Sequence, residues 1–201
     1  IRTMPNIAAS VQNSTTTITG DNEAKIIAME IFSSIGQAIW VNTENQLDIA
    51  TAIAGSGPAY LALIAEALAD GAVKAGLERH ISTQLVQGLF SGTASLLKHT
   101  HPAIIKDSVM SPGGTTAAGY AQLEEAGVRN AMIKAVESAY NKAIELGFAD
   151  DIMFRTGEST VQDSFVFSRR AVTNSLMDKL KKPVVKQSTE PLYERLNLLK
   201  Y

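Results

Sequence analysis

No cysteine occurs in the 201 residues, which excludes disulfides and thiolate chemistry and accords with a reducing compartment, the cytoplasm. Neither sign of charge is in surplus. Charged residues make up 19% and the net charge is -2, so neither a disordered polyelectrolyte nor a strongly basic nucleic-acid surface is indicated. Basic residues do outnumber acidic ones after Gly147, nine to seven against nine to thirteen before it, but they alternate with acids and lack aromatics at stacking intervals. No nucleic-acid partner is expected. An uninterrupted apolar run of membrane-spanning length is missing too, because Glu66, Asp70 and Lys74 break the stretch from Pro58 to Ala75. No metal is expected: His99 and His101 have no third ligand nearby and read as surface or capping residues before Pro102. The chain opens Ile1-Arg2, with neither methionine nor a secretory signal pattern, and reads as a piece of something longer.

What is present is mostly helical periodicity. Two short strands are expected first, at Ser14 to Thr19 and Gln37 to Val41, both rich in β-branched or aromatic residues. Between them Ala24, Ile27, Ala28, Ile31, Phe32 and Ile35 recur at helical spacing, with Gly36 placed as a C′ glycine. Two strands alone are marginal in water, so this unit is expected to complete a larger sheet. Thr43 to Gln46 has capping-box form and starts a helix ending before Gly55. Gly55-Ser56-Gly57-Pro58 then reads as a turn, with Ser56 as N-cap of the next helix.

In that helix Ala62, Ala65, Ala69, Ala72 and Gly76 form a seam of small residues beside Leu61, Ile64 and Leu68. A helix apolar around most of its girth needs burial on several sides, most readily against a second copy of the chain. Glu66, Asp70 and Lys74 share one stripe, read as an ion row in which Asp70 pairs with Lys74. Ser82 is placed to cap the following helix, which keeps its period to about Lys98. Further helices are expected over 103–109, 117–125 and 128–146, the last two ended by Gly127 and Gly147. Helices over 164–182 and 190–200 with a linker at 181–191 complete the chain.

One stretch carries chemistry by itself. Ser111-Pro112-Gly113-Gly114-Thr115-Thr116 empties into a helix, whose first N–H groups lack internal partners and form a ready anion site. The glycines admit a ligand close to the backbone, and Thr115 or Thr116 can cap the helix or offer a hydroxyl. On the hexapeptide alone an ordinary loop with a good N-cap is the favoured reading, since such turns are common in helical proteins.

Three motifs in order narrow the choice: Met4-Pro5-Asn6; Gly55-Ser56-Gly57-Pro58-Ala59-Tyr60 with Ala67-Leu68-Ala69-Asp70-Gly71; and Lys106-Asp107 before the 111 to 116 turn. Together they resemble the carboxy-terminal part of pyrroline-5-carboxylate reductase, from residue 1 to about Gly147. The resemblance implies a mainly α fold: an interlocking helical dimerisation domain over 42–147, preceded at 1–41 by a strand-helix-strand remnant or junction of a dinucleotide-binding domain. Residues 148–201 are expected to be a helical tail of unknown role, and the resemblance does not cover them. It implies a homodimer, in some members a ring of dimers, and reduction of 1-pyrroline-5-carboxylate to L-proline by NADPH or NADH. Ser111, Gly113, Gly114, Thr115 and Thr116 then hold the substrate carboxylate, and the Thr116 hydroxyl addresses the ring nitrogen. Met4, Pro5, Asn6, Ser56 and Gly57 are assigned by the same resemblance to the nicotinamide end of the cofactor. The glycine fingerprint G-x-G-x-x-G after a strand is absent from the 201 residues, so the isolated chain is expected to be inactive without its cofactor domain. The other reading is a truncated relative serving only as an oligomerisation or interaction module.

Overall fold

The β-branched run Ser14–Thr19 forms the middle strand, β2, of a three-stranded sheet, between β1 (Arg2–Met4) and β3 (Gly36–Trp40). The structure, a computed structural model, describes residues 1–156 and the side chains as far as Leu146. It divides into two units, Ile1–Pro58 with the chain from Ala139 onward, and Ala59–Ser138. The helices expected over 164–182 and 190–200, and the linker at 181–191, lie outside the described residues.

In the first unit β1 runs antiparallel to β2, Met4 opposite Thr17, and β3 runs parallel to it, Ser14 opposite Gly36. Helix α1 (Lys25–Ser33) makes the crossover that parallel strands require. Ile18, Ala28, Ile35, Leu47, Ala52 and Ala9 are buried and constitute the core. Only three residues long and opening on the charged Arg2, β1 was not expected; its guanidinium pairs with Glu44 at 2.6 Å and Asp48 at 2.9 Å on α2 (Glu44–Ala50). Gly36 is not the C′ glycine expected. It opens β3 at φ 148°, and an added Cβ would stand 2.1 Å from the carbonyl oxygen of Ser14. Glycine is required there by the closeness of the neighbouring strand.

Thr43 caps α2 as expected, its Oγ1 accepting from the Gln46 N–H at 3.2 Å, while Gln46 Oε1 accepts from the N–H of Asn42 at 2.8 Å. The helix does not end at a turn before Gly55. It widens into a π-helical segment, Thr51–Gly55, and resumes as α3 (Gly57–Lys74). Ser56 has helical dihedrals, φ -86° and ψ -26°, so it is no N-cap. This continuity has a second consequence. The helical run Glu44–Lys74 is long and apolar enough, by length and composition, to cross a membrane, which a reading broken at Gly55 did not find.

The second unit is built from α3, α4 (Arg79–Leu97), α5 (Pro102–Val109), α6 (Thr115–Glu125) and the start of α7 (Val128–Thr156). Gly76 does not join the small-residue seam. At φ 107° it closes α3, where its N–H reaches Val73 O at 2.9 Å and that of Leu77 reaches Ala72 O at 3.0 Å, a Schellman ending. Asp70 pairs with Arg79 at 2.5 Å, not with Lys74, because the reversal at Gly76 brings the first residue of α4 alongside. Ser82 lies inside α4, bonding back to Glu78 O at 3.0 Å, and Glu78 holds the cap position. His101 does cap α5, its Nδ1 accepting from the N–H of Ala103 at 3.3 Å. Gly127, φ 72°, ends α6 as expected. Gly147 does not end α7, which continues to Thr156; one interior glycine costs a helix only about 1 kcal/mol relative to alanine.

Candidate functional site

Between α5 and α6 the chain turns through Met110 to Gly114, with Gly113 left-handed at φ 68°. The N–H of Gly114 closes the turn on Ser111 O at 3.0 Å, so that donor is spent internally. Gly114 itself is the N-cap of α6, in extended conformation and without a side-chain cap. The threonines therefore do not cap the helix, because they occupy its first two positions. As a result the N–H groups of Thr115, Thr116 and Ala117 have no acceptor among the described residues, and neither threonine hydroxyl has a partner. Ser111, Gly113, Thr115 and Thr116 are exposed and Gly114 is half-buried. Three converging N–H groups at the positive end of a helix, beside two free hydroxyls, suit an anion that also carries a hydrogen-bonding atom.

The two arms of this turn are tied together. The Lys106 ammonium lies 5.4 Å from the centre of the Tyr120 ring and pairs with Asp107 at 2.7 Å. Tyr120 donates to Glu124 at 2.5 Å, and Arg129 of α7 donates to Tyr120 and to Glu124. The bonds from Arg129, then Tyr120, hold the Glu124 carboxyl below its ordinary range, and donation to Glu124 raises the phenol of Tyr120. Glu124 and Arg129 are exposed and Lys106 and Tyr120 only half-buried, so the ties are weak singly.

Met4, Pro5, Asn6, Ser56 and Gly57 all belong to the first unit, and there the structure does bring the two segments together. Asn6 Nδ2 donates to Ala54 O at 3.0 Å. The methyl of Met4 lies 3.1 Å from where a Cβ on Gly55 would stand. Asn6 Oδ1 also caps the 3-10 turn Ile7–Val11 through the N–H of Ala8 at 3.1 Å. Ser56 is half-buried and its hydroxyl has no partner, and open space surrounds the Cα of Gly57. The π-helical segment Thr51–Gly55, which carries this junction, escaped sequence reading. Its signal was Pro58, four residues after Ala54.

A different property spans the helices of the second unit. Among its described residues only Ala69 and Ser82 are buried, while Leu61, Leu63, Leu68, Leu85, Leu89, Leu96, Leu97, Ile104, Leu123 and Ile133 are exposed. Apolar exposure on this scale marks an association surface. The class is thus a helical self-association unit. Comparison gives the family: residues 44–146 match the model described as pyrroline-5-carboxylate reductase dimerisation, and the chain belongs to that family. It is 50% identical over 155 residues to the pyrroline-5-carboxylate reductase of Synechocystis, covering 73% of this chain and 57% of that protein. To the Thermus thermophilus enzyme it is 41% identical, covering 73% and 58%. A solved pyrroline-5-carboxylate reductase from Coxiella burnetii superposes with a TM-score of 0.68 at 36% identity, over 72% of this chain and 56% of that one. The Plasmodium falciparum pyrroline carboxylate reductase, solved with NADP bound, gives 0.67 at 34%, over 72% and 62%. The chain thus spans little more than half the length of these curated relatives.

Proposed function

We propose that this chain supplies the substrate-carboxylate pocket and the dimer interface of a pyrroline-5-carboxylate reductase, which reduces 1-pyrroline-5-carboxylate to L-proline. The observation that carries the reading is the set of unpartnered N–H groups at Thr115, Thr116 and Ala117 beside two free threonine hydroxyls. The substrate is a small ring with one carboxylate and one imine nitrogen. The three N–H groups, approached over Gly113, hold the carboxylate, with Ser111 and Gly114 shaping the turn. The Thr116 hydroxyl donates to the ring nitrogen and supports its protonation as the imine carbon becomes saturated. Orientation and exclusion of water are the main demands such a reduction makes on the protein.

A bound nicotinamide dinucleotide, NADPH or NADH, supplies the hydride. Met4, Pro5, Asn6, Ser56 and Gly57 fit only its nicotinamide end: the Gly57 backbone is open to close approach and Ser56 offers a free hydroxyl. No glycine fingerprint for its phosphates occurs in this sequence. Residues 1–41 serve as the junction to a dinucleotide-binding domain, residues 42–147 as the helical catalytic and dimerisation domain, and residues 148–201 as a tail. The partner is a second copy of the chain, with rings of dimers as a further level of assembly. The apolarity of Glu44–Lys74 then serves helix packing rather than a membrane, and the absence of cysteine supports a cytoplasmic setting.

Calorimetric titration of the chain with L-proline tests the pocket. Binding that Thr116→Ala weakens supports it, and absence of binding by a folded dimer favours a pure oligomerisation module, the reading that the missing fingerprint supports. Joined to a dinucleotide-binding domain, the Thr116→Ala variant is expected to lose roughly tenfold or more in kcat/KM, about 1.4 kcal/mol. Unchanged kinetics would remove Thr116 from the mechanism.

A further inference from the structure

In an α-helix the carbonyl of Ala54 would accept from the N–H of residue 58, and Pro58 has none. Ala54 is half-buried, and its carbonyl is left without its helical donor. Asn6 provides a donor from 48 residues away, Nδ2 to O at 3.0 Å. The Asn6 side chain is itself fixed at its other polar atom, where Oδ1 accepts from the N–H of Ala8 at 3.1 Å. Its main-chain N–H donates to Ser14 Oγ at 3.1 Å, and that buried hydroxyl lies 3.0 Å from the buried Thr16 hydroxyl on β2. A continuous path of hydrogen bonds therefore runs from the central strand, through Asn6, to the widened helical turn. Within that turn the N–H of Ser56 reaches back five residues to Thr51 O at 3.1 Å. Pro58 bars an α-helical bond at Ala54, so without the Asn6 amide the widened turn loses its tie to the sheet and opens more readily.

We propose that Asn6 is a positioning residue: its amide latches Ala54 and so holds the widened turn that presents Gly55, Ser56 and Gly57, instead of contacting a cofactor itself. The proposal rests on the assignment of this junction to the nicotinamide end, and it replaces direct contact by Asn6 with control of the backbone that makes contact. Its functional consequence is that loss of one amide donor, remote from any ligand, redirects the Ser56 hydroxyl and the Gly57 backbone.

The test is amide hydrogen exchange on the full chain. Asn6→Asp keeps an oxygen for the Ala8 N–H but sets a carboxylate against the Ala54 carbonyl. The Ser56 N–H is expected to exchange at least tenfold faster, with the strand β2 unchanged. Pro58→Ala restores a main-chain donor four residues after Ala54, so the double variant is expected to return to within about threefold of the parent. A role confined to capping the 3-10 turn would show no such rescue. Unchanged exchange in Asn6→Asp, or a loss that Pro58→Ala does not relieve, overturns the latch. If Asn6→Asp melts too early for local exchange to be read, recovery of the melting temperature by Pro58→Ala supports the latch and no recovery overturns it. In the polypeptide joined to a dinucleotide-binding domain, Asn6→Asp should raise KM for NADPH and lower kcat, with L-proline affinity unchanged. A latch seen by exchange without that kinetic effect keeps the latch and refutes the nicotinamide assignment.

Discussion

Substituting Gly114 by alanine separates the shape of the anion turn from its backbone preferences. The dihedrals of Gly114, φ -78° and ψ 168°, are ordinary extended values that alanine adopts freely. The cost lies in contact. An added Cβ would stand 2.3 Å from Ser111 Oγ and 3.2 Å from Ser111 O. The hydroxyl must leave its rotamer, at about 0.5–1.5 kcal/mol. The carbonyl, which accepts the Gly114 N–H at 3.0 Å, must yield by a few tenths of an ångström and weaken a bond worth about 0.5–1.5 kcal/mol. The sum is about 1–3 kcal/mol, and for a chain of this size each kcal/mol lowers the melting temperature by about 2–4 °C. Melting is to be compared at one protein concentration, because self-association contributes to it. L-proline affinity measured on the same samples should fall roughly tenfold, a cost of about 1.4 kcal/mol for misdirecting the N–H groups. Ser111→Ala removes the 2.3 Å contact, so the double variant should regain at least half of the lost stability. A Gly114→Ala protein that melts and binds like the parent, or one that Ser111→Ala does not help, would refute this account of the turn.

Leu61→Glu, on a residue 53% exposed, should weaken the dimer at least tenfold in sedimentation equilibrium, because about half of a leucine burial worth about 1.5–3 kcal/mol is lost twice across a two-fold axis. Gly36→Ala, with its Cβ 2.1 Å from a main-chain oxygen, should unfold the β2–β3 pairing and cost more than about 3 kcal/mol by chemical denaturation. The Glu124 carboxyl is depressed in the folded state by Arg129 and then Tyr120, so its stabilising contribution is complete above the unfolded value near 4.5 and vanishes as pH falls through the lower folded value. Glu124→Gln should remove that acid-side slope from the stability profile, and an unchanged profile would show that the ion pair contributes nothing.

The sequence made the strand β2, the Thr43 cap, the His101 cap and the C-terminal end of α6 legible because each depends on local chemistry: β-branching, a hydroxyl three residues from a donor, a ring before proline, a left-handed glycine. What it concealed depends on distance. Gly36 looked like a helix terminator because the only visible context was the helix before it, whereas its reason lies in Ser14 on the adjacent strand. Ser56 looked like a cap because Gly-Ser-Gly-Pro normally punctuates helices, and here a widened turn held by Asn6 carries the helix through. Thr115 and Thr116 were legible as functional candidates, but not the reason they are free. That reason is Gly114, which takes the cap position itself and leaves both hydroxyls and three N–H groups without partners. Asn6 was singled out for polarity that the structure uses internally.

The two units differ in how they earn their order, and that difference bears on the site. The first has a conventional core around Ile18, Ile35 and Leu47. The second, Ala59–Ser138, orders a long stretch of backbone at about 1–2 kcal/mol per residue while burying only Ala69 and Ser82 among its described residues. Exposed ion pairs such as Asp70–Arg79 and Glu124–Arg129 cannot offset that. The deficit must be met by the exposed leucines and isoleucines in contact with another copy. The anion turn lies inside this second unit, so its geometry depends on association even though every N–H group at the turn comes from one chain. Leu61→Glu should therefore weaken L-proline binding as well as the dimer, and both losses should reverse together as protein concentration rises. A monomeric variant that bound L-proline with the affinity of the dimer would show that the turn is held by its own Lys106, Tyr120, Glu124 and Arg129 ties, and that assembly serves another purpose.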